Sequence, residues 1–160
     1  INAGAGAVEN ERFRLMSLFI PPMYLMGFLE KISKEYGAVS VTEPFFTQWG
    51  EGRLDPSKPI ESVAQKAYMI PEMQMYGPLG KSAIDRIINC ATDYHISGAI
   101  YYADIGCRHS CATIKLFKDT LNNIDIPVLT LDCDVVDPTM TSEEEIREKF
   151  ERFFELLEDY

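Results

Sequence analysis

Residues 98–111, GAIYYADIGCRHSC, decide how this 160-residue chain is read. The stretch opens on a glycine, runs through a short apolar series too brief for a helix, and ends in a glycine followed by a thiol. That is the pattern of a strand covered on both faces, as in a parallel sheet. Gly106 allows close backbone approach, and residues 111–121 then read as a helix whose free N–H groups can favour an anion or a thiolate.

Upstream, residues 13–20 (FRLMSLFI) form a second apolar run, closed by Pro21 and Pro22. Pro22 suits the first turn of a helix. Leu25, Phe28, Leu29, Ile32 and Tyr36 recur at helical spacing until Gly37 offers a C-terminal cap. Residues 38–44 (AVSVTEP) predict another strand, ended by Pro44. Residues 45–56 are aromatic and aperiodic, a loop over the sheet edge. Ile60, Val63, Ala64 and Ala67 predict a short helix, residues 69–78 an irregular connection, and Ile84, Ile87, Ile88 and Ala91 an amphipathic helix.

Downstream, IPVLTLDCD (residues 126–134) predicts a fourth strand. Thr141 with Glu144, or Ser142 with Glu145, offers a capping box, after which Ile146, Phe150, Phe153 and Leu157 trace one apolar stripe. Strands alternating with helices imply parallel pairing through right-handed crossovers. The expectation is an α/β fold, an open and mainly parallel doubly wound sheet, flavodoxin-like or Rossmann-like, of about four strands with helices on both faces. Residues 1–10 read as a linker or an artificial remnant, and residues 11–160 as a single domain, the C-terminal half of a longer subunit.

Composition narrows the function classes. Fifteen basic residues against 25 acidic ones leave a formal charge of −10, with the acids concentrated after Thr141. Such a surface repels phosphate backbones, which argues against nucleic-acid binding. No apolar run approaches a membrane span, and no signal peptide is read at the amino end, so a cytoplasmic protein is expected. Four cysteines (Cys90, Cys107, Cys111, Cys133) are too few and too irregular for a disulfide scaffold.

In an open parallel sheet, ligands gather beyond the carboxyl ends of the strands where strand order reverses. A 2-1-3-4 order puts that point between the first and third strands, so the Pro21 loop faces residues 104–111. Two readings of Cys107 stand side by side. It is a thiol presented at the rim, or a small apolar residue at a strand end, the reading preferred from spacing alone. A C-x₃-C pair is weak evidence for zinc or an iron–sulfur centre, which ordinarily needs four ligands. A Cys107–His109 catalytic pair is disfavoured because two residues in a turn usually point apart. Cys90 reads as core. Asp132 and Asp134 share a strand face and could bind metal, although such residues more often cap the following turn. Glu43 could reach the rim from the second strand, and Phe45, Phe46 and Trp49 could line a pocket or fold onto their own domain. No catalytic residue is assigned.

Residues 97–159, from SGAIYYADIGCRHSC through IPVLTLDCDVVDPTMTSEEEIREKFERFFELLED, resemble the closing region of subunits of the 2-hydroxyacyl-CoA dehydratase and benzoyl-CoA reductase family, D-component type. The ordered features are a strand ending in a cysteine (Cys107), an Ile126-Pro127 strand carrying Asp132 and Asp134, and a helix with Glu144, Arg147 or Arg152, Phe153 and Leu156 or Leu157. Residues 13–43 are similar to the start of the family's second domain, so the likeness covers residues 13–158. It is diffuse rather than carried by one short motif.

The resemblance implies a [4Fe–4S] cluster held by three cysteines of one subunit. Cys107 matches the ligand of this domain, Cys111 is the second choice, and two further ligands come from a preceding domain, so the 160-residue chain alone should hold no cluster and be inactive. It implies an acyl-CoA substrate, a second dehydratase subunit completing a heterodimer, and an ATP-dependent iron–sulfur activator that injects one electron. A ketyl radical on the thioester then lets water leave an (R)-2-hydroxyacyl-CoA. Pro21, Glu43, Arg108, His109 and Ser110 are candidates for substrate or supporting contacts. The alternatives are a benzoyl-CoA reductase-type subunit and a non-catalytic flavodoxin-like interaction module.

Overall fold

The computed structural model describes Val8 and residues 10–45, 54–69 and 81–160. The expected leader (residues 1–7), the core of the aromatic loop with Phe46 and Trp49, and most of the Met- and Pro-rich connection lie outside these residues. The described elements are β1 (Phe13–Leu18), a 3₁₀ turn (Met23–Leu25), α1 (Met26–Tyr36), β2 (Ala38–Thr42), α2 (Pro59–Tyr68), α3 (Lys81–Asp93), β3 (Gly98–Asp104), α4 (Arg108–Asn122), β4 (Val128–Cys133) and α5 (Glu143–Glu158).

The four strands form one sheet in the order β2-β1-β3-β4, and every neighbouring pair is parallel. This is the open, doubly wound α/β arrangement that the alternation of strands and helices predicts. The two central strands are buried on both sides, β3 with six buried residues followed by a half-buried Asp104, while the edge strands β2 and β4 are only partly covered. Two-sided burial is why β1 and β3 read as continuous apolar runs rather than as alternating ones.

Side chains alternate between the two faces. Phe13 stacks on Phe154 of α5 at 5.5 Å, and Phe154 stacks on Tyr36 of α1 at 4.4 Å, so α1 and α5 cover one face. Arg147 of α5 bonds Glu35 of α1 at 3.2 Å and lies over the Phe28 ring. The other face carries Tyr101, which packs with Phe19 and with Phe117 of α4.

Local signals account for most boundaries. Gly37 ends α1 in the left-handed conformation, φ 67°; its carbonyl accepts from the amides of Arg12 and Phe13, and an added Cβ would lie 2.6 Å from the Asn10 carbonyl oxygen. Of the two capping readings for α5, the structure uses Ser142, whose Oγ accepts from the Glu145 amide at 3.1 Å. The Glu145 carboxylate pairs with Lys149 instead of returning to the cap, and Thr141 donates to the Asp132 carbonyl.

Three expectations shift. Pro22 precedes a 3₁₀ turn, so α1 proper begins only at Met26. Helix α4 starts at Arg108, three residues before Cys111, because Cys107 caps it. Helix α2 forms where its period predicts, yet no residue of it is buried, and Ile60 and Val63 are 80% and 56% exposed. Periodicity reports the helix but not what packs on it. No helix among the described residues is long and apolar enough to cross a membrane.

Gly98 opens β3 directly under α5. An added Cβ would sit 2.8 Å from Phe153 Cζ and 3.0 Å from Leu157 Cδ2, so Gly98→Ala forces two buried side chains of α5 aside. The expected loss is about 1–3 kcal/mol, read as a lower urea midpoint at unchanged slope; an unchanged midpoint would show that α5 does not bear on this strand.

Candidate functional site

Strand order reverses between β1 and β3, so the loops leaving these two strands frame the carboxyl edge of the sheet. Cys107 stands in the loop after β3 with extended backbone, φ −101° and ψ 100°, and its Sγ accepts from the Ser110 amide at 3.4 Å. A sulfur thus takes the place that a Ser, Thr or Asp oxygen usually holds at a helix N-cap. The turn is closed by the Cys107 amide on the Asp104 carbonyl at 2.9 Å and the Cys111 amide on the Cys107 carbonyl at 3.1 Å. The Cys111 thiol is exposed and donates to the Asp104 carbonyl at 3.4 Å. Both thiols of the C-x₃-C pair therefore lie on one helical turn at the rim, Cys107 half-buried and Cys111 open.

The other two cysteines are packing groups. Cys90 is buried on α3, its thiol bonded to Thr42 and pushed up by burial. Cys133 is 1% exposed; burial first, and then the carboxylates of Asp104, Asp132 and Asp134, push its thiol up to about 11. A thiol held neutral in this way is a poor nucleophile and a poor metal ligand.

The remaining sequence candidates separate. Arg108 is exposed at the rim beside Cys107. His109 is half-buried and turns its ring edge onto Phe19, 6.3 Å between centroids, which fits a packing role better than a catalytic pair with Cys107. Ser110 is 1% exposed, its hydroxyl donating down to the Tyr102 carbonyl at 3.3 Å. Pro21 and Glu43 come together elsewhere, in the lining of a cleft of about 510 Å³ between α1 and the sheet. Its floor includes Tyr102, so it opens on the face opposite Tyr101 and α4. The carboxylate of Asp134 accepts the amides of Val136 and Asp137, both at 2.8 Å, the turn-capping role. No three His, Cys, Asp or Glu side chains gather at metal-holding distance among the described residues. Gly106 shows no forced close approach: a Cβ there would meet only Asp104 Oδ1, at 3.4 Å.

Two features escape a reading of the sequence. Phe19 adopts φ 66° at the end of β1, a left-handed conformation unusual for a bulky residue, and its ring joins Phe45, Tyr101 and Phe117 in one cluster. Nothing in the residue type signals this. The rim also exposes apolar side chains to solvent: Ile20, Met23, Ile105, Val136 and Met140 are 44–79% exposed. The loops bearing them meet, with the Met23 amide on the Val135 carbonyl at 3.4 Å and the Ile105 amide on the Cys133 carbonyl at 2.9 Å. Their positions after separate strands hid this grouping, although each lies in a predicted strand-end loop. Exposed apolar groups brought together mark surfaces that other molecules cover.

Comparison with protein-family models matches residues 1–157, almost the whole chain, to the family described as 2-hydroxyglutaryl-CoA dehydratase, D-component. Comparison with curated proteins gives no match.

The burial pattern sets an order of thiol reactivity. With iodoacetamide near neutral pH and mass-spectrometric readout, Cys111 and then Cys107 are alkylated in the native protein, while Cys90 and Cys133 react only on denaturation. Labelling of Cys133 as fast as Cys111 would contradict the geometry of β4.

Proposed function

This chain belongs to the D-component family of 2-hydroxyglutaryl-CoA dehydratase, and from that premise we propose that it presents one thiolate, Cys107, as a ligand of a [4Fe–4S] cluster in a 2-hydroxyacyl-CoA dehydratase. The observation that carries the reading is the position of Cys107: half-buried, at the carboxyl edge, at the reversal of strand order. Its donor chemistry suits iron of such a cluster, which takes thiolates in preference to carboxylates. The described residues supply one such thiol, or two with Cys111, so the remaining ligands come from outside them. In this reading residues 11–160 act as one α/β domain of the subunit.

When bound, the cluster would supply one electron to the thioester of an (R)-2-hydroxyacyl-CoA, giving a ketyl radical, and would take it back once the C2 hydroxyl and a C3 proton have left together as water. The contributions of this chain are positional. The first turn of α4 fixes the Cys107 sulfur, Arg108 sets a positive group beside it for the substrate's anionic portions, and Ile20, Met23, Ile105 and Val136 keep water from the reacting thioester once covered. The covering surface is a second dehydratase subunit, and the electron arrives from an ATP-dependent iron–sulfur activator.

Anaerobic iron–sulfide reconstitution of the intact protein tests this. Cys107→Ala is expected to lose most of the cluster's visible charge-transfer absorption and at least tenfold in dehydratase turnover, whereas Cys111→Ala keeps both. A Cys107→Ala protein with an unaltered cluster spectrum ends the ligand assignment, and a spectrum lost only in Cys111→Ala moves it to the neighbouring thiol.

A further inference from the structure

The cleft between α1 and the sheet plays no part in the proposed role of Cys107, and its lining is unlike ordinary core. Ser17 and Tyr102 are 5% and 4% exposed on a sheet face that is otherwise apolar. The Tyr102 hydroxyl lies beside that of Ser17, and Ser17 Oγ is hydrogen-bonded to Ser40 Oγ at 2.8 Å. The chain of three hydroxyls runs from the buried floor out to Ser40, which is exposed on the wall formed by β2. Around it the surface is Leu15, Leu29, Ala38, Ile100 and Phe150. A volume of about 510 Å³ falls within the range of small-molecule pockets, which typically combine an apolar lining with a few convergent polar groups.

A second observation concerns the wall. Gly27 occupies the first turn of α1, where alanine is the better helix former. Its φ is not positive, and a Cβ there would meet nothing within 4 Å. Neither backbone conformation nor packing calls for a glycine, and Gly27 lies in the lining of the cleft.

We propose that this cleft is a binding site for a small, uncharged, largely apolar molecule with one hydroxyl or carbonyl, which extends the Tyr102–Ser17–Ser40 row of hydroxyls at Ser40. Charge favours a neutral ligand. Of the charged side chains in the lining, Lys34 is engaged by Glu30 at 2.6 Å, and Glu43 adds a negative group that opposes an anion. The proposal rests on the cleft alone and stands or falls separately from the role of Cys107.

Ligand-observed ¹⁹F NMR on the intact protein tests it, with 4-fluorophenol as the hydroxyl-bearing probe and 4-fluorotoluene as its apolar match. Saturable broadening of 4-fluorophenol is expected, at least tenfold weaker in Gly27→Leu, whose side chain enters the mouth and whose melting temperature should not fall because leucine is the better helix former. Ser40→Ala should weaken 4-fluorophenol several-fold and leave 4-fluorotoluene unchanged. Broadening that does not saturate, or that survives intact in Gly27→Leu, overturns the site. Equal binding of both probes, indifferent to Ser40→Ala, overturns the assignment of a hydroxyl- or carbonyl-bearing ligand.

Discussion

One phenol fixes the edge on which the Cys107 thiol stands. Tyr101 is fully buried in β3, and its Oη donates to the Ser110 carbonyl at 2.6 Å while sharing a 2.9 Å hydrogen bond with Thr113 Oγ1. Burial pushes this phenol up to about 12, so it stays a neutral donor throughout the ordinary pH range. Leaving such a donor unpaired in the interior would cost about 1–3 kcal/mol. With Ser110 Oγ on the Tyr102 carbonyl, two consecutive residues of β3 hold the first turn of α4. The sulfur capping that turn is therefore carried by the sheet rather than by a free loop. The ligand role proposed for Cys107 needs that property, because a thiolate on a mobile segment spends its binding free energy on ordering the segment.

The two faces of the sheet are built differently, and the difference divides the candidate residues. Beneath α4 the packing is aromatic and closed, with Phe19, Phe45, Tyr101 and Phe117 within 5.1–6.3 Å of one another wherever they meet. Beneath α1 the packing opens into the hydroxyl-lined cleft. Cys107, Arg108 and Cys111 go with the first face, Pro21 and Glu43 with the second. Residues that the topology brings to one rim thus need not meet, because a sheet edge has two sides and a strand-end loop can fold toward either.

Most of the architecture was legible in the sequence because burial writes itself into periodicity. The apolar runs at residues 13–20 and 98–105, the β-branched stretch at 38–44 and the strand-like stretch at 126–134 gave the four strands, and the proline-punctuated turn after β1 and the glycine after Tyr36 gave the ends of the first crossover. Parallel pairing followed from the helices between strands, and strand order 2-1-3-4 places Cys107 where it was expected. What could not be read depends on tertiary partners. The stripe of Ile60 and Val63 looks the same whether or not anything covers it. Ser142 and Thr141 are equivalent caps until the Asp132 carbonyl claims the Thr141 hydroxyl. Cys107 itself escaped recognition as a cap, since a thiol is not among the usual cap residues, and so α4 was expected three residues too late. The exposed apolar rim was hidden because its members come from three separate loops.

Phe19 joins these observations. Its left-handed backbone, φ 66°, is a strain of about 1–3 kcal/mol that persists only where the surroundings over-determine it. Here the surroundings are four rings: Phe45, Tyr101, Phe117 and, edge-on, His109. Turning the chain at Phe19 buries this ring and leaves Ile20 partly exposed, and the following 3₁₀ turn carries Met23 across to Val135 beyond β4. The strained residue therefore links the aromatic face to the apolar rim, and His109, two residues from Cys107, belongs to the same cluster. A rim whose turns are fixed at both β1 and β3 cannot adapt its shape cheaply. Such stiffness suits a surface that holds its chemistry in a preset position against another surface, and suits poorly one that closes around a ligand unaided.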